Sequence, residues 1–283
     1  MIFARAFGGL GNQMFQYAAG KALAARLGTD LAMDFRVIDH RGTRRLTEVF
    51  DLDLAPPKAL PPAKHESALR YGLWRALGRN PRFQREDGLG YNPGFATWGD
   101  GTYLHGYWQS ERYFAPVADH IRTVFRPVPA PSPENAAIAN KIATTTAVSL
   151  HVRRGDYLAL GAHGVCSEAY YNAALAHITA GLKDAPTVFV FSDDPDWAKA
   201  NLPLPCEKIV VDLNGPATDY EDLRLMSLCD HNIIANSSFS WWGAWLNDNP
   251  AKIVTAPSPW FAVASMKNPD ILPATWKTIH AEA

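Results

Sequence analysis

Two arginines stand side by side in His151-Val152-Arg153-Arg154-Gly155-Asp156-Tyr157, directly after the apolar run 147–152. Adjacent guanidiniums at a strand end are costly to bury without anionic partners. Alternation along an extended strand puts His151 and Arg153 on one face and Arg154 on the other. Asp156 is near enough to neutralise one guanidinium. The other is left for an external anion, and a planar guanidinium fork suits phosphate. An internal Arg–Asp bridge at the surface is the plainer alternative. Arg154-Gly155-Asp156 also spells an adhesion tripeptide, but so short a string arises by chance, and here it follows a buried strand.

Three other segments carry related chemistry. Gly8-Gly9-Leu10-Gly11-Asn12-Gln13 lets the backbone approach a ligand and offers the N–H groups of a following helix to an anion. It is not G-x-G-x-x-G, so a nicotinamide cofactor is not favoured. Phe191-Ser192-Asp193-Asp194-Pro195-Asp196 leaves three readings open. Asp194 and Asp196 hold a divalent metal beside a nucleotide diphosphate, or one Asp accepts from the N–H edge of a guanine, or one caps the helix starting at Pro195. Asn236-Ser237-Ser238-Phe239-Ser240 sets hydroxyls at a helix start, either as a neutral cradle for a diphosphate or as a cap using one serine. Trp241, Trp242 and Trp245 either pack that helix on its sheet or stack on a sugar or base. No G-x-S-x-G, no P-loop and no metal-spaced His pair occurs.

The elements that must position these residues follow from periodicity. Ile2–Phe7, a helix through Met14 and Ala25 stopping at Gly28, and a strand at 31–35 open the chain as β-loop-α-β. Residues 36–100, broken by Pro56, Pro57, Pro61 and Pro62, predict short helices and loops. The prolines of 127–133 predict a stiff linker. Beyond it strands at 147–152, 187–191, 208–211, 232–235 and 252–255 alternate with helices at 167–181, 195–201, 219–229 and 238–247. That alternation predicts a parallel sheet covered on both faces. The expectation is an α/β chain of two Rossmann-like domains facing a cleft: 1–126, the linker 127–133, and 134–283, with the last residues packing back on the first domain.

Composition narrows the class. The chain has 283 residues, 47% hydrophobic and 19% charged, with net charge −1. Disorder is excluded, and nothing draws the whole chain to nucleic acid. Three cysteines, Cys166, Cys206 and Cys229, with no C-x-x-C, read as thiols in a reducing cytoplasm. No secretory leader and no transmembrane run is expected.

The same segments carry a resemblance. HVRRGDY at 151–157, FSDDPDW at 191–197, LMSLCDHNIIANSSFSWWGAWLN at 225–247 and GGLGNQMFQYAAGKALA at 8–24 resemble bacterial α-1,2-fucosyltransferases of glycosyltransferase family 11. LHGYWQSERYF at 104–114 fits as well, while 36–100 matches little. The resemblance implies a GT-B-type fold, GDP-β-L-fucose as donor, no required cofactor or metal, and inversion to an α-linkage at O2 of a terminal galactose. It implies Arg153 and Arg154 on the donor pyrophosphate, His151 and Asp193 or Asp194 facing the guanosine, Ser237, Ser238 and Ser240 along the phosphates, and Asn12 near the transferred sugar. Gly9, Gly11 and Asp156 fall on the donor side, and Tyr107, Trp108 and Gln109 on the acceptor side. No spacing singles out a base among Asp34, Asp39 and Glu48. Peripheral membrane association is compatible with such an enzyme, although no amphipathic basic helix argues for it. The competing readings are a transferase of the same fold with another donor, and a non-catalytic GDP- or glycan-binding module.

Overall fold

The computed structural model describes residues 1–58, 60–77, 82–155, 157, 164–263 and 265–282. The chain divides into two compact units. One comprises Met1–Arg126 with Asn268–Ile271, the other Pro127–Lys267 with Leu272–Ala283.

The first unit contains β1 (Ile2–Arg5), α1 (Leu10–Leu27), β2 (Leu31–Asp34), α2 (Arg36–Arg41), α3 (Ala68–Leu77), β3 (Phe83–Arg85), β4 (Tyr103–His105) and α4 (Ala118–Val124). Its sheet runs β2-β1-β4-β3, with parallel pairing throughout. α1 is mostly buried, polar Gln13 and Gln16 included. Those amides satisfy loop backbone that water cannot reach. Gln16 accepts from Phe7 N at 3.0 Å, and Gln13 accepts from Leu46 N at 3.0 Å while donating to Arg44 O at 2.9 Å. The glycine turn before α1 is thereby fixed at the carboxyl end of β1. Gly28 closes the helix with φ 61°. β3 and β4, three residues each, were not among the expected strands; elements so short leave no readable period.

The second unit contains α5 (Pro133–Ala143), β5 (Ala147–Val152), α6 (Glu168–Thr179), β6 (Thr187–Ser192), α7 (Pro195–Asn201), β7 (Glu207–Val211), α8 (Asp219–Leu228), β8 (His231–Ile233), α9 (Ser238–Leu246), β9 (Val254–Ser258) and β10 (Lys277–His280). The sheet order is β10-β9-β8-β5-β6-β7, all parallel. Every residue of β5 is buried, as a central strand covered on both faces requires. Val148, Leu150 and Val152 pack with Tyr170, Tyr171, Ala174 and Ile178 of α6. On the other face Ala147, Phe189 and Phe191 pack with Leu225 and Met226 of α8. A buried amide network ties the centre together: Asn232 donates to Ser149 Oγ at 2.7 Å, and Asn247 donates to Asn232 Oδ1 at 2.8 Å. Trp241, Trp242 and Trp245 are buried against one another, so they pack α9 rather than offer a stacking face. β10, largely exposed, is a further strand that the sequence pattern did not announce. Among the described residues no helix is long and apolar enough to cross a membrane.

Candidate active site

β5 is the switch point of the second sheet. The chain leaves it for β6 on one side and returns as β8 on the other. Crevices outside the carboxyl ends of such strands are where open α/β sheets bind ligands. The segments after β5, β6 and β8 are the three singled out by residue type: Arg153-Arg154-Gly155, Asp193-Asp194 and Asn236-Ser237-Ser238.

Parallel register sets Val152 beside Ser192, so the arginines emerge next to the aspartates. Arg153 Nε lies 3.2 Å from Asp193 Oδ2, and Arg154 Nε 3.4 Å from Asp194 Oδ2. Asp193 Oδ1 also accepts from Arg154 N at 2.9 Å. This corrects the expectation that one guanidinium stays unpaired: both have a carboxylate, supplied by the neighbouring strand. Asp156, the partner expected from sequence, lies outside the described residues. The Arg154 guanidinium sits 3.9 Å over the Trp197 ring. Its pairing runs through Nε, and among the described residues its terminal nitrogens have no hydrogen-bond partner. Gly155 is required by close approach, since a Cβ there would come 2.7 Å from Asp193 Oδ2.

Asp194 performs the capping expected of one of these acids, accepting from Trp197 N at 3.2 Å. Asp196 is exposed and pairs with Lys199. His151, the penultimate residue of β5, is buried beside Phe239, and its Nδ1 has no hydrogen-bond partner among the described residues. Burial, then the charge of Arg153, holds this imidazole down to about 3, so it is neutral at neutral pH.

After β8, Ser237 caps α9 by accepting from Phe239 N at 3.3 Å. Ser240 is fully buried and its hydroxyl turns back onto Ala235 O and Ser237 O, so it does not line a phosphate cradle. Ser238, half-buried, is the most accessible of the three. Tyr157 Oη donates to Asn236 O at 3.1 Å, linking the loop after β5 to the loop after β8.

In the first unit, Gly9 and Gly11 flank the start of α1, and Asn12 lies in its first turn. Asn12 Oδ1 accepts from Gln109 Nε2 at 2.8 Å. Gln109 is itself held by Asn268, which donates to its carbonyl at 3.2 Å. Tyr107 stands exposed, edge-on to Phe7. Trp108 is a correction: it is 1% exposed, packed against Trp98 and Tyr113, and so serves the core rather than an acceptor. Its φ of 57° is the left-handed value that non-glycine residues avoid.

The group that holds this turn is Glu86, which the sequence reading missed. Its carboxylate accepts from Tyr107 N at 2.6 Å and Trp108 N at 2.9 Å. A Cβ at Gly106 would come 2.4 Å from Glu86 Cβ. Burial pushes the Glu86 carboxyl up from its ordinary value. A lone Glu in an unpatterned stretch gives no sequence signal. The three acids weighed as bases are all engaged: Asp34 with Arg36 and Tyr103, Asp39 with Arg45, and Glu48 with Arg45 N.

Comparison with known proteins defines the class. The chain superposes on an Arabidopsis thaliana FUT1 variant in complex with GDP, with TM-score 0.53 and 13% identity over 96% of this chain and 74% of that one. The fold is α/β of GT-B type, and the family match and relatives that follow make the protein a glycosyltransferase. The family profile "Glycosyl transferase family 11" matches residues 95–280. Full-length similarity joins it to an Escherichia coli α-1,2-colitosyltransferase, 34% identical over 99% of each chain. Human galactoside α-(1,2)-fucosyltransferase 1 is 30% identical over 36% of this chain and 29% of its own length. The chain belongs to glycosyltransferase family 11.

Proposed function

We propose that this enzyme transfers L-fucose from GDP-β-L-fucose to the 2-hydroxyl of a terminal galactose, with inversion and without a metal. The observation that carries the reading is the paired guanidiniums at the switch point, braced from β6 by Asp193 and Asp194. Departure of GDP adds negative charge to the β-phosphate. Fixed positive groups there stabilise the transition state more than the ground state. Arg153 and Arg154 take the pyrophosphate, exchanging part of their pairing with the aspartates for phosphate oxygens. Ser238 and the start of α9 add neutral donors. Neutral His151, with Asp193 or Asp194, lies to the guanosine side. Asn12, positioned by Gln109, contacts the transferred sugar, and Tyr107 receives the acceptor galactose.

A second donor is favoured by one observation, the full-length similarity to an α-1,2-colitosyltransferase. Colitose is fucose without its 3-hydroxyl, so the two donors differ at one atom of the sugar. Calorimetric titration and turnover with GDP-fucose, GDP-colitose and a uridine diphosphate sugar separate the readings. GDP-fucose is expected to bind and react best. Turnover confined to GDP-colitose transfers the assignment to the second donor, and preference for the uridine nucleotide overturns both.

A further inference from the structure

α3 presents its apolar stripe outward. Tyr71 and Trp74 face inward, with the Trp74 ring 4.9 Å from Phe83 of β3. One helical turn apart on the opposite face, Leu69 is 73% exposed and Leu73 51% exposed. Gly72 and Ala76, on the same side, are also exposed. A helix that turns its aromatics inward and still shows leucines to solvent has a second apolar contact to make.

The charge of the chain segment that carries it identifies the partner. The chain is net −1, yet residues 1–126 hold 17 Lys and Arg against 12 Asp and Glu. The stretch 58–85 holds seven Lys and Arg against one acid, Glu66, and that acid is paired with Arg36. Lys58, Lys64, Arg70, Arg82 and Arg85 are exposed. An outward apolar stripe carried by so basic a stretch of chain is the pattern that lies in the interface of an anionic bilayer, leucines in the acyl boundary and cations among the headgroups.

We infer that α3 is a membrane-surface anchor, by which Leu69 and Leu73 insert into an anionic lipid bilayer. This inference stands apart from the donor assignment. The sequence alone does not tell which stripe of 68–77 faces the core.

The test is sedimentation of the full chain with vesicles of phosphatidylglycerol and phosphatidylcholine, and of phosphatidylcholine alone, at low and high salt. Wild type is expected to pellet with the anionic vesicles, less at high salt. The Leu69→Gln/Leu73→Gln double variant should lose binding at least about tenfold, because two leucines no longer leave water. Its turnover on a soluble acceptor should be unchanged, showing that the fold persists. Absence of binding by wild type, or equal binding by the double variant, overturns the inference. So does a wild-type dimer that becomes monomeric in the double variant without lipid binding, which assigns the leucines to a protein interface.

Discussion

Gln109 and Asn12, 97 residues apart, meet through a 2.8 Å hydrogen bond from the Gln109 amide to Asn12 Oδ1. One was expected on the acceptor side and the other near the transferred sugar. The structure makes them a single unit. Gln109→Ala should therefore lower kcat about three- to tenfold, the range of one net hydrogen bond. In a double-mutant cycle, Gln109→Ala should add little to Asn12→Ala. Simple additivity would mean that Gln109 acts independently of Asn12.

Glu86 holds the turn that leads into Gln109, through Tyr107 N and Trp108 N. Glu86→Gln leaves one acceptor oxygen for two N–H donors and sets an amide NH2 against one of them. The expected cost is about 1–3 kcal/mol of stability, read by denaturant unfolding. A neutral result would show that the 106–108 turn holds without the carboxylate.

Gly155→Ala is a test of the aspartate brace. Its Cβ would lie 2.7 Å from Asp193 Oδ2, so Asp193 must shift and the arginines with it. An off-rotamer adjustment of this kind predicts GDP binding weakened about two- to tenfold by calorimetry, with little loss of fold. Unchanged GDP affinity would separate Asp193 from donor binding.

Arg153→Ala should cost about 10²–10³ in kcat, the scale of losing one group that stabilises transition-state charge. Circular dichroism should show the fold intact, since the pair it leaves is partly exposed, with side-chain accessibilities of 32% and 23%. Near-normal turnover would remove Arg153 from the chemistry.

Buried His151 and half-buried His105 set an acid-side dependence. His151 is held to about 3 by burial and then by Arg153, and His105 to about 4 by burial, then Arg5 and Arg85. The unfolded chain takes up these protons near 6.5, whereas the folded chain resists them. The unfolded state therefore binds more protons below 6.5, and stability falls as pH drops from 6.5 toward 4 for His105 and toward 3 for His151. Ring NMR titration should find both neutral at pH 6. A midpoint near 6.5 for either would contradict its shielding from solvent.

Much of the second unit was legible from residue order. β5 and α7 fall at the expected residues, because a continuous apolar run and an Asp-Pro cap are strong local signals. The serine cap at Ser167 is likewise local. What was not legible depends on register or on burial. Arg154 finds Asp193 and Asp194 about 40 positions away through strand pairing. The motif Ser237-Ser238-Phe239-Ser240 does not say that Ser240 turns inward. In 36–100, prolines and very short strands erase the period, and so neither Glu86 nor the outward stripe of α3 is legible there.

The central claim is tested most directly by incubating the enzyme with GDP-fucose and a galactose-ended oligosaccharide such as lactose in EDTA, then determining the linkage of the product. The account predicts α-linked fucose on galactose O2, formed at the same rate with and without chelator. Fucose on another hydroxyl, a β-linkage, or activity lost in EDTA and restored by Mg or Mn would contradict it.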